Sequence, residues 1–259
     1  MDHRATLLRL TDFIGPVFGT EDFCLLLYSL VRSHGPRTIV ELGTGLGTSA
    51  FWMALAAKRN GFGHVWTVDD LTLFERHSTV LSEISSYLRN EGMATTNIVT
   101  GPQYFEEMTK LLEIEQFISF IHERIDLSES GHFDQFPFSG ELIDLLFSDF
   151  KHGPAEILSI LGHFLPRMSP AASIFIDSAP TAWPSFLLLE QLISHLNKGC
   201  VPEALQARCS VDLGEVMRNR NIRLVHLTEW KERDQNSAAW LKLEPIDLFP
   251  QPRAHMRGL

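Results

Sequence analysis

The clearest periodicity near the start of the chain begins at Thr20. Phe23, Leu26, Leu27 and Leu30 recur on one face at helical spacing. Thr20 is a good N-cap, and Glu21 and Asp22 suit the positive end of a helix dipole, while His34-Gly35-Pro36 stops the run. The first 35 residues therefore read as helical. A short β-branched run follows, Thr38-Ile39-Val40-Glu41-Leu42, and its glycine-rich ending marks a buried strand. The glycines open a second helix from Ser49 to about Arg59, with Phe51, Trp52, Leu55 and Ala56 as its buried side. Val65-Trp66-Thr67-Val68 is a second strand, ending on Asp69-Asp70. Strand, glycine turn, helix and strand form a βαβ unit, which implies a parallel sheet.

Between 71 and 116 the pattern predicts two helices, around 72–90 and 103–113, with 97–101 between them. The third strand is placed at Ile118-Ser119-Phe120-Ile121, with 97–100 as the alternative. More than forty residues then separate the second and third strands. That exceeds an ordinary crossover, so one of the helices is expected to be an added lid or oligomer element. A fourth strand runs from Ile143 to Phe147. Pro154 opens a helix to Leu165 that turns Ile157, Ile160, Leu161 and Phe164 inward. A strand at Ser173–Ile176 and a helix at Phe186–Leu196 follow, and Ile222–Leu227 and Ala238–Leu243 make a late antiparallel pair at the sheet edge. The expected fold is α/β: a Rossmann-like, doubly wound, mostly parallel seven-stranded sheet. It forms a single domain over 1–259, with a helical extension at 1–35 and a helical insertion or lid at 71–116.

Bulk composition narrows the function. The 259 residues are 44% apolar, enough for one sizeable core, and carry a formal charge of −10. With only the scattered Arg218, Arg220 and Arg223 as a basic grouping, nucleic acid and anionic membranes are not expected partners. Cys24, Cys200 and Cys209 are too few and too far apart for a disulfide framework or a cysteine-rich zinc site. The start, MDHRATLLRLTDF, places charges where a signal peptide needs an apolar core, and no run approaches the roughly 20 apolar residues of a membrane span. A cytoplasmic protein is expected.

The sharpest chemical signal is Val40-Glu41-Leu42-Gly43-Thr44-Gly45-Leu46-Gly47-Thr48-Ser49. Glycines let the backbone turn after the strand and approach a ligand with no Cβ in the way. A dinucleotide fingerprint reads G-x-G-x-x-G, whereas here the third glycine comes one position early and Thr48 takes its place. Glu41, two residues before the first glycine, suits a cationic ligand end better than a pyrophosphate. Asp69, ending the next strand, is of the right type to accept two hydrogen bonds from a diol, and Asp70 could trade roles with it.

The V-E-L-G-T-G-L-G-T-S run resembles the first motif of class I S-adenosylmethionine-dependent methyltransferases, whose glycine loop contacts the methionine part of the cofactor. The resemblance implies cofactor contacts at Glu41, Gly43, Thr44, Gly45, Ser49, Asp69, Asp70 and Asp149. Asp69 falls where that family keeps an acid for the ribose hydroxyls. Ile143-Asp144-Leu145-Leu146-Phe147-Ser148-Asp149-Phe150-Lys151-His152 and Ile174-Phe175-Ile176-Asp177-Ser178 are similar to segments of the branch containing macrocin-type and catechol-type O-methyltransferases. Its metal-dependent members bind a magnesium-like ion at positions that here are Asp149, Asp177 and Ser178, where Ser178 replaces the usual Asp or Asn. Two carboxylates facing one pocket repel unless a cation or proton separates them. His152 stands where relatives carry a Lys or His near the transferred methyl. An imidazole suits removal of a hydroxyl proton, so His152 is the candidate general base, with Asp149 orienting it or holding metal.

The expected activity is methyl transfer to a small-molecule acceptor, O-methylation in a bacterial secondary-metabolite or sugar pathway. The competing readings are an N- or carboxylate methyltransferase without metal, a non-catalytic cofactor-binding or scaffolding protein, and a nicotinamide oxidoreductase. A homodimer is one arrangement the sequence leaves open. Trp183 is placed either as a pocket wall or as packing for the following helix. The Phe133, Phe136 and Phe138 loop lines an acceptor site or tucks onto the core, and His122, His132 and His163 share no ligand spacing.

Overall fold

The computed structural model describes residues 2–15, 20–72, 78–93, 97–129, 131–228 and 237–246. Its helices are α1 (His3–Ile14), α2 (Glu21–His34), α3 (Thr48–Asn60), α4 (Ser78–Asn90), α5 (Gly101–Leu112), α6 (Pro154–Phe164), α7 (Trp183–Leu196), α8 (Glu203–Gln206) and α9 (Leu213–Met217). The strands are β1 (Thr38–Leu42), β2 (His64–Asp69), β3 (Ile118–His122), β4 (Ile143–Ser148), β5 (Met168–Asp177), β6 (Arg220–Thr228) and β7 (Ser237–Pro245). They form one seven-stranded sheet in the order β3-β2-β1-β4-β5-β7-β6. The first five pair in parallel, and β7 runs antiparallel to both β5 and β6. This is the expected doubly wound architecture with its late antiparallel pair. The third strand lies at Ile118–His122 rather than at the alternative 97–100.

Alternate strand residues feed two cores, one on each face of the sheet. On one face Ile39, Val65, Leu145, Phe147 and Phe175 meet the first five helices; on the other Val40, Leu42, Leu146, Ile174 and Ile176 meet α6 and α7. The first core is three layers deep. Sequence periodicity gives α3 a single buried side, but every residue from Ala50 to Ala57 is buried. A helix buried all round must be covered on both sides. Here α1 and α2 pack on its outer face, Trp52 donates its indole N–H to Thr11 Oγ1 at 3.2 Å, and Tyr28 meets the Trp52 ring edge-on.

Thr20 caps α2 by accepting from Phe23 N at 3.2 Å, and Gly35 ends it in the left-handed conformation. The buried stripe is Phe23, Leu27 and Val31 with Cys24 and Tyr28, whereas Leu26 and Leu30 are only half-buried. The stripe is rotated because α2 must serve α3 and the sheet together, with Phe23 reaching Phe147 and Phe175. In the 71–116 segment both helices pack into this core, through Leu81, Ile84 and Leu88 of α4 and Tyr104, Phe105, Met108 and Leu112 of α5. The first turn predicted for α4 lies outside the described residues, and α5 starts at Gly101 because Thr100 caps Gln103 N at 3.3 Å.

The Thr11–Trp52 bond ties the N-terminal helix to the domain. Thr11→Val strands a buried indole N–H and is expected to cost about 1–3 kcal/mol in urea unfolding. The Thr11→Val/Trp52→Phe double variant loses less than the two single losses added, because neither partner is then left unpaired. Strict additivity would show that the bond does not couple the helices.

Candidate active site

The strand order reverses between β1 and β4, where open α/β sheets leave a crevice at their carboxyl ends. Register fixes what lines it. Leu42 pairs with Val68 and Ser148, and Ser148 pairs with Ile176. The next residues, Asp69, Gly43, Asp149 and Asp177, therefore form one row along the sheet edge, with neighbouring strands about 4.8 Å apart. Gly43 cannot be replaced without displacing this row. Its φ is +86°, and a Cβ there would lie 2.1 Å from the Asp149 carbonyl oxygen. The row is stitched by Gly43 N to Val68 O at 3.0 Å and Asp149 N to Leu42 O at 2.9 Å.

Glu41 sits beneath the row, with no exposed surface. Ser49 Oγ, from the first turn of α3, donates to Glu41 Oε1, and Thr67 Oγ1 donates to Oε2 at 2.5 Å. Thr67 Oγ1 also accepts from Thr44 Oγ1 at 2.6 Å, which links the buried acid to the glycine loop. Burial raises the Glu41 pKa to about 8. The Ser49 and Thr67 hydrogen bonds oppose that shift, and the nearby charges of Asp149 and Asp69 add to it.

Asp69, expected to face a ribose diol, ends β2 beside the glycine loop and also holds that loop. Oδ2 accepts from Thr44 N at 2.8 Å and Gly45 N at 3.0 Å, while Oδ1 accepts from Leu71 N at 2.7 Å. Asp70 is half-buried. Its Oδ1 accepts from Thr72 N at 3.0 Å, and that bond lowers its pKa.

Beyond β4, His152 is half-buried and its carbonyl accepts from Ser185 Oγ of α7 at 2.6 Å. This bond joins the loop after β4 to the helix after β5. Asp177 is largely buried, and Ser178 Oγ donates to its Oδ2 at 2.6 Å from a backbone at φ +58°. Among the described residues no group of three or more His, Cys, Asp or Glu side chains is placed to hold a metal ion. Asp69 and Asp149 border the glycine loop with Glu41 buried behind it, and two buried hydroxyls, Thr48 Oγ1 and Ser148 Oγ, have no partner among the described residues.

Trp183 opens α7 with its indole 65% exposed, stacked on Phe186 at 5.5 Å and 6°. The Phe133, Phe136 and Phe138 loop is buried on the second core. His122 and His163 bond backbone carbonyls, of Asp70 at 3.2 Å and Leu127 at 3.1 Å, and His132 is buried among Phe133 and Phe136. Sequence reasoning passed over Thr67. The signal was a hydroxyl inside an otherwise apolar strand, directly opposite Glu41 in the register.

A parallel-sheet crevice with a glycine loop after β1 and acids at the ends of β2, β4 and β5 is the arrangement of a class I methyltransferase. The methyltransferase-domain family model matches residues 40–179, just over half of the chain, and the chain belongs to that family. Among solved structures, it is similar to cofactor-bound Rv0187 from MTB at 13% identity, covering 93% of this chain and 89% of that one with a TM-score of 0.55. It is also similar to an O-methyltransferase from Bacillus cereus in complex with SAH, at 12% identity, covering 94% and 91% with a TM-score of 0.51. At these identities the likeness is one of fold. No curated protein matches the sequence. No helix among the described residues is long and apolar enough to cross a membrane.

Glu41 makes a pH prediction with a definite sign. Between about 4.5 and about 8 the folded protein holds a proton that the unfolded chain releases, so stability falls as pH rises through that window. His3, His64 and His163, each with a lowered pKa, push the opposite way, so the readout is a difference curve. Melting temperature measured against pH should decline more steeply for the wild type than for Glu41→Gln. Parallel curves would contradict the assignment.

Proposed function

We propose that the chain transfers a methyl group from S-adenosylmethionine to a hydroxyl of a small-molecule acceptor, with His152 as general base. The observation that carries this reading is the convergence of Glu41, Asp69 and Asp149 on the glycine loop at the point where the strand order reverses. The cofactor supplies a methyl carbon on a cationic sulfur. The carboxylates of Asp69 and Asp149 attract its sulfonium and ammonium charges, while Glu41, protonated at neutral pH, acts through the loop it holds. Thr44 and Gly45, braced by Asp69, and Ser49, braced by Glu41, hold the loop for the methionine end. Asp70 and the remaining lone-pair capacity of Asp69 suit the ribose hydroxyls.

An acceptor hydroxyl is a poor nucleophile until it loses its proton, and His152 follows Asp149, a member of the row along the sheet edge, by three residues. The Ser185 bond to its carbonyl fixes that loop, and the exposed Trp183 ring, two residues before Ser185, offers a flat wall for the acceptor. A bacterial secondary-metabolite or sugar pathway is the setting the resemblance favours.

Magnesium has no part in this reading. Mg²⁺ demands several hard oxygen ligands in near-octahedral geometry. Here the position expected to supply a carboxylate or amide is Ser178, a neutral hydroxyl and a weaker ligand for a hard cation.

A panel of phenolic and sugar acceptors, read by formation of S-adenosylhomocysteine, tests both points. His152→Ala should lower kcat by about 10²–10⁴-fold with cofactor affinity little changed. EDTA should leave the wild-type rate unaltered. An unchanged kcat in the variant would remove His152 as base, and a rate abolished by EDTA and restored by Mg²⁺ would overturn the metal-free reading.

A further inference from the structure

Strand β6 closes one end of the sheet order and keeps unbroken register with β7 from Arg220 to Thr228. Its backbone groups alternate in direction. Ile246 N donates to the Asn219 carbonyl, so odd-numbered residues face β7 and even-numbered ones turn their N–H and C=O groups outward. Asn197, just beyond α7, takes the outward groups of Ile222: its side-chain amide donates to Ile222 O at 2.7 Å and accepts from Ile222 N at 2.8 Å. The next outward groups, those of Leu224 and His226, have no partner among the described residues.

Proteins commonly guard an open edge with lysine, proline or a bulge. From Ile222 to Thr228 the strand reads I-R-L-V-H-L-T, without Lys or Pro, and its pairing with β7 has no register shift. Its two ionisable side chains already have acids: Arg223 Nε lies 2.9 Å from Glu244 Oε2, and His226 Nε2 lies 2.9 Å from Glu190 Oε1. A row of apolar side chains also runs out to this edge. Phe147, Phe175, Trp240 and Val225 stand opposite one another on β4, β5, β7 and β6. Trp240 stacks on Phe175 at 5.4 Å, and Val225, at the open end of the row, is 38% exposed.

The occupant that fits this edge is a second copy of the chain, because the strand is complementary to itself. A two-fold axis at Val225 sets Val225 against its own copy, Leu224 against His226 and Arg223 against Leu227, so no like charges meet. Leu224 and His226 of each copy then satisfy the outward backbone groups of the other, and the two apolar rows join end to end. An axis at Leu224 would need the Ile222 groups that Asn197 holds. An axis at His226 would set two imidazoles opposite each other.

We propose that two copies of this chain join antiparallel along β6, about a two-fold axis at Val225, to make one continuous sheet. The test is sedimentation equilibrium of the full chain, with thermal melting to show that each variant is folded. The wild type should give twice the 29.3 kDa mass of the chain. Val225→Lys and Val225→Glu each set like charges against each other across the axis, and each should weaken the dimer about a hundredfold. Mixing the two variants sets opposite charges there and should restore the dimer, which an interface elsewhere on the molecule would not do. Val99→Lys, at an exposed valine in the loop before α5, should leave the dimer intact. A monomeric wild type, a dimer insensitive to Val225→Lys, or variants that stay monomeric when mixed would overturn the proposal. Sedimentation needs neither cofactor nor acceptor, so failure of this proposal and failure of the methyl-transfer reading are told apart.

Discussion

A carboxylic acid with no exposure to water lies at the centre of this molecule, and the surrounding structure is arranged to tolerate it. Glu41 takes hydrogen bonds from α3 through Ser49 and from β2 through Thr67, and Thr67 passes the connection to the glycine loop through Thr44. Asp69 holds the same loop from the other side by accepting its backbone N–H groups. Removing solvent from an acid is costly unless its hydrogen-bonding capacity is met. Satisfying Glu41 therefore sets the position of α3 relative to β1 and β2, and with it the entry angle of the loop.

The sheet converts this local arrangement into a site. Parallel register places the residues after β1, β2, β4 and β5 at one level, so acids far apart in sequence share one edge. The close approach of Gly43 to the Asp149 carbonyl leaves no room for a side chain, and this closeness makes the crevice narrow at its floor. On the outside, α1 and α2 bury the far face of α3 and so stiffen the helix whose first turn supplies Ser49. Stability and ligand binding thus draw on the same few contacts.

Periodicity made most of this visible in advance. The βαβ start, the strands at 118, 143 and 173, and the late antiparallel pair are all local patterns that the structure reproduces within a few residues. Properties that depend on what packs against an element were not legible. The burial of α3 on every side requires knowing that α1 and α2 cover it, and the 71–116 helices looked surplus because the depth of the first core was hidden. At the site the residue types were readable, but their hydrogen-bond commitments were not. Asp69 also braces the loop, Ser178 turns to Asp177, and Thr67 became significant only once its register opposite Glu41 was known.

The most direct test of the central claim is calorimetric titration of the protein with S-adenosylmethionine and S-adenosylhomocysteine, in the wild type and in Asp69→Ala. The account predicts micromolar binding of both ligands. S-adenosylmethionine should bind more tightly, because its positive sulfur meets the acids at the loop, and Asp69→Ala should weaken both by freeing the backbone at Thr44 and Gly45. Failure of the wild-type protein to bind either ligand would contradict the assignment of the crevice.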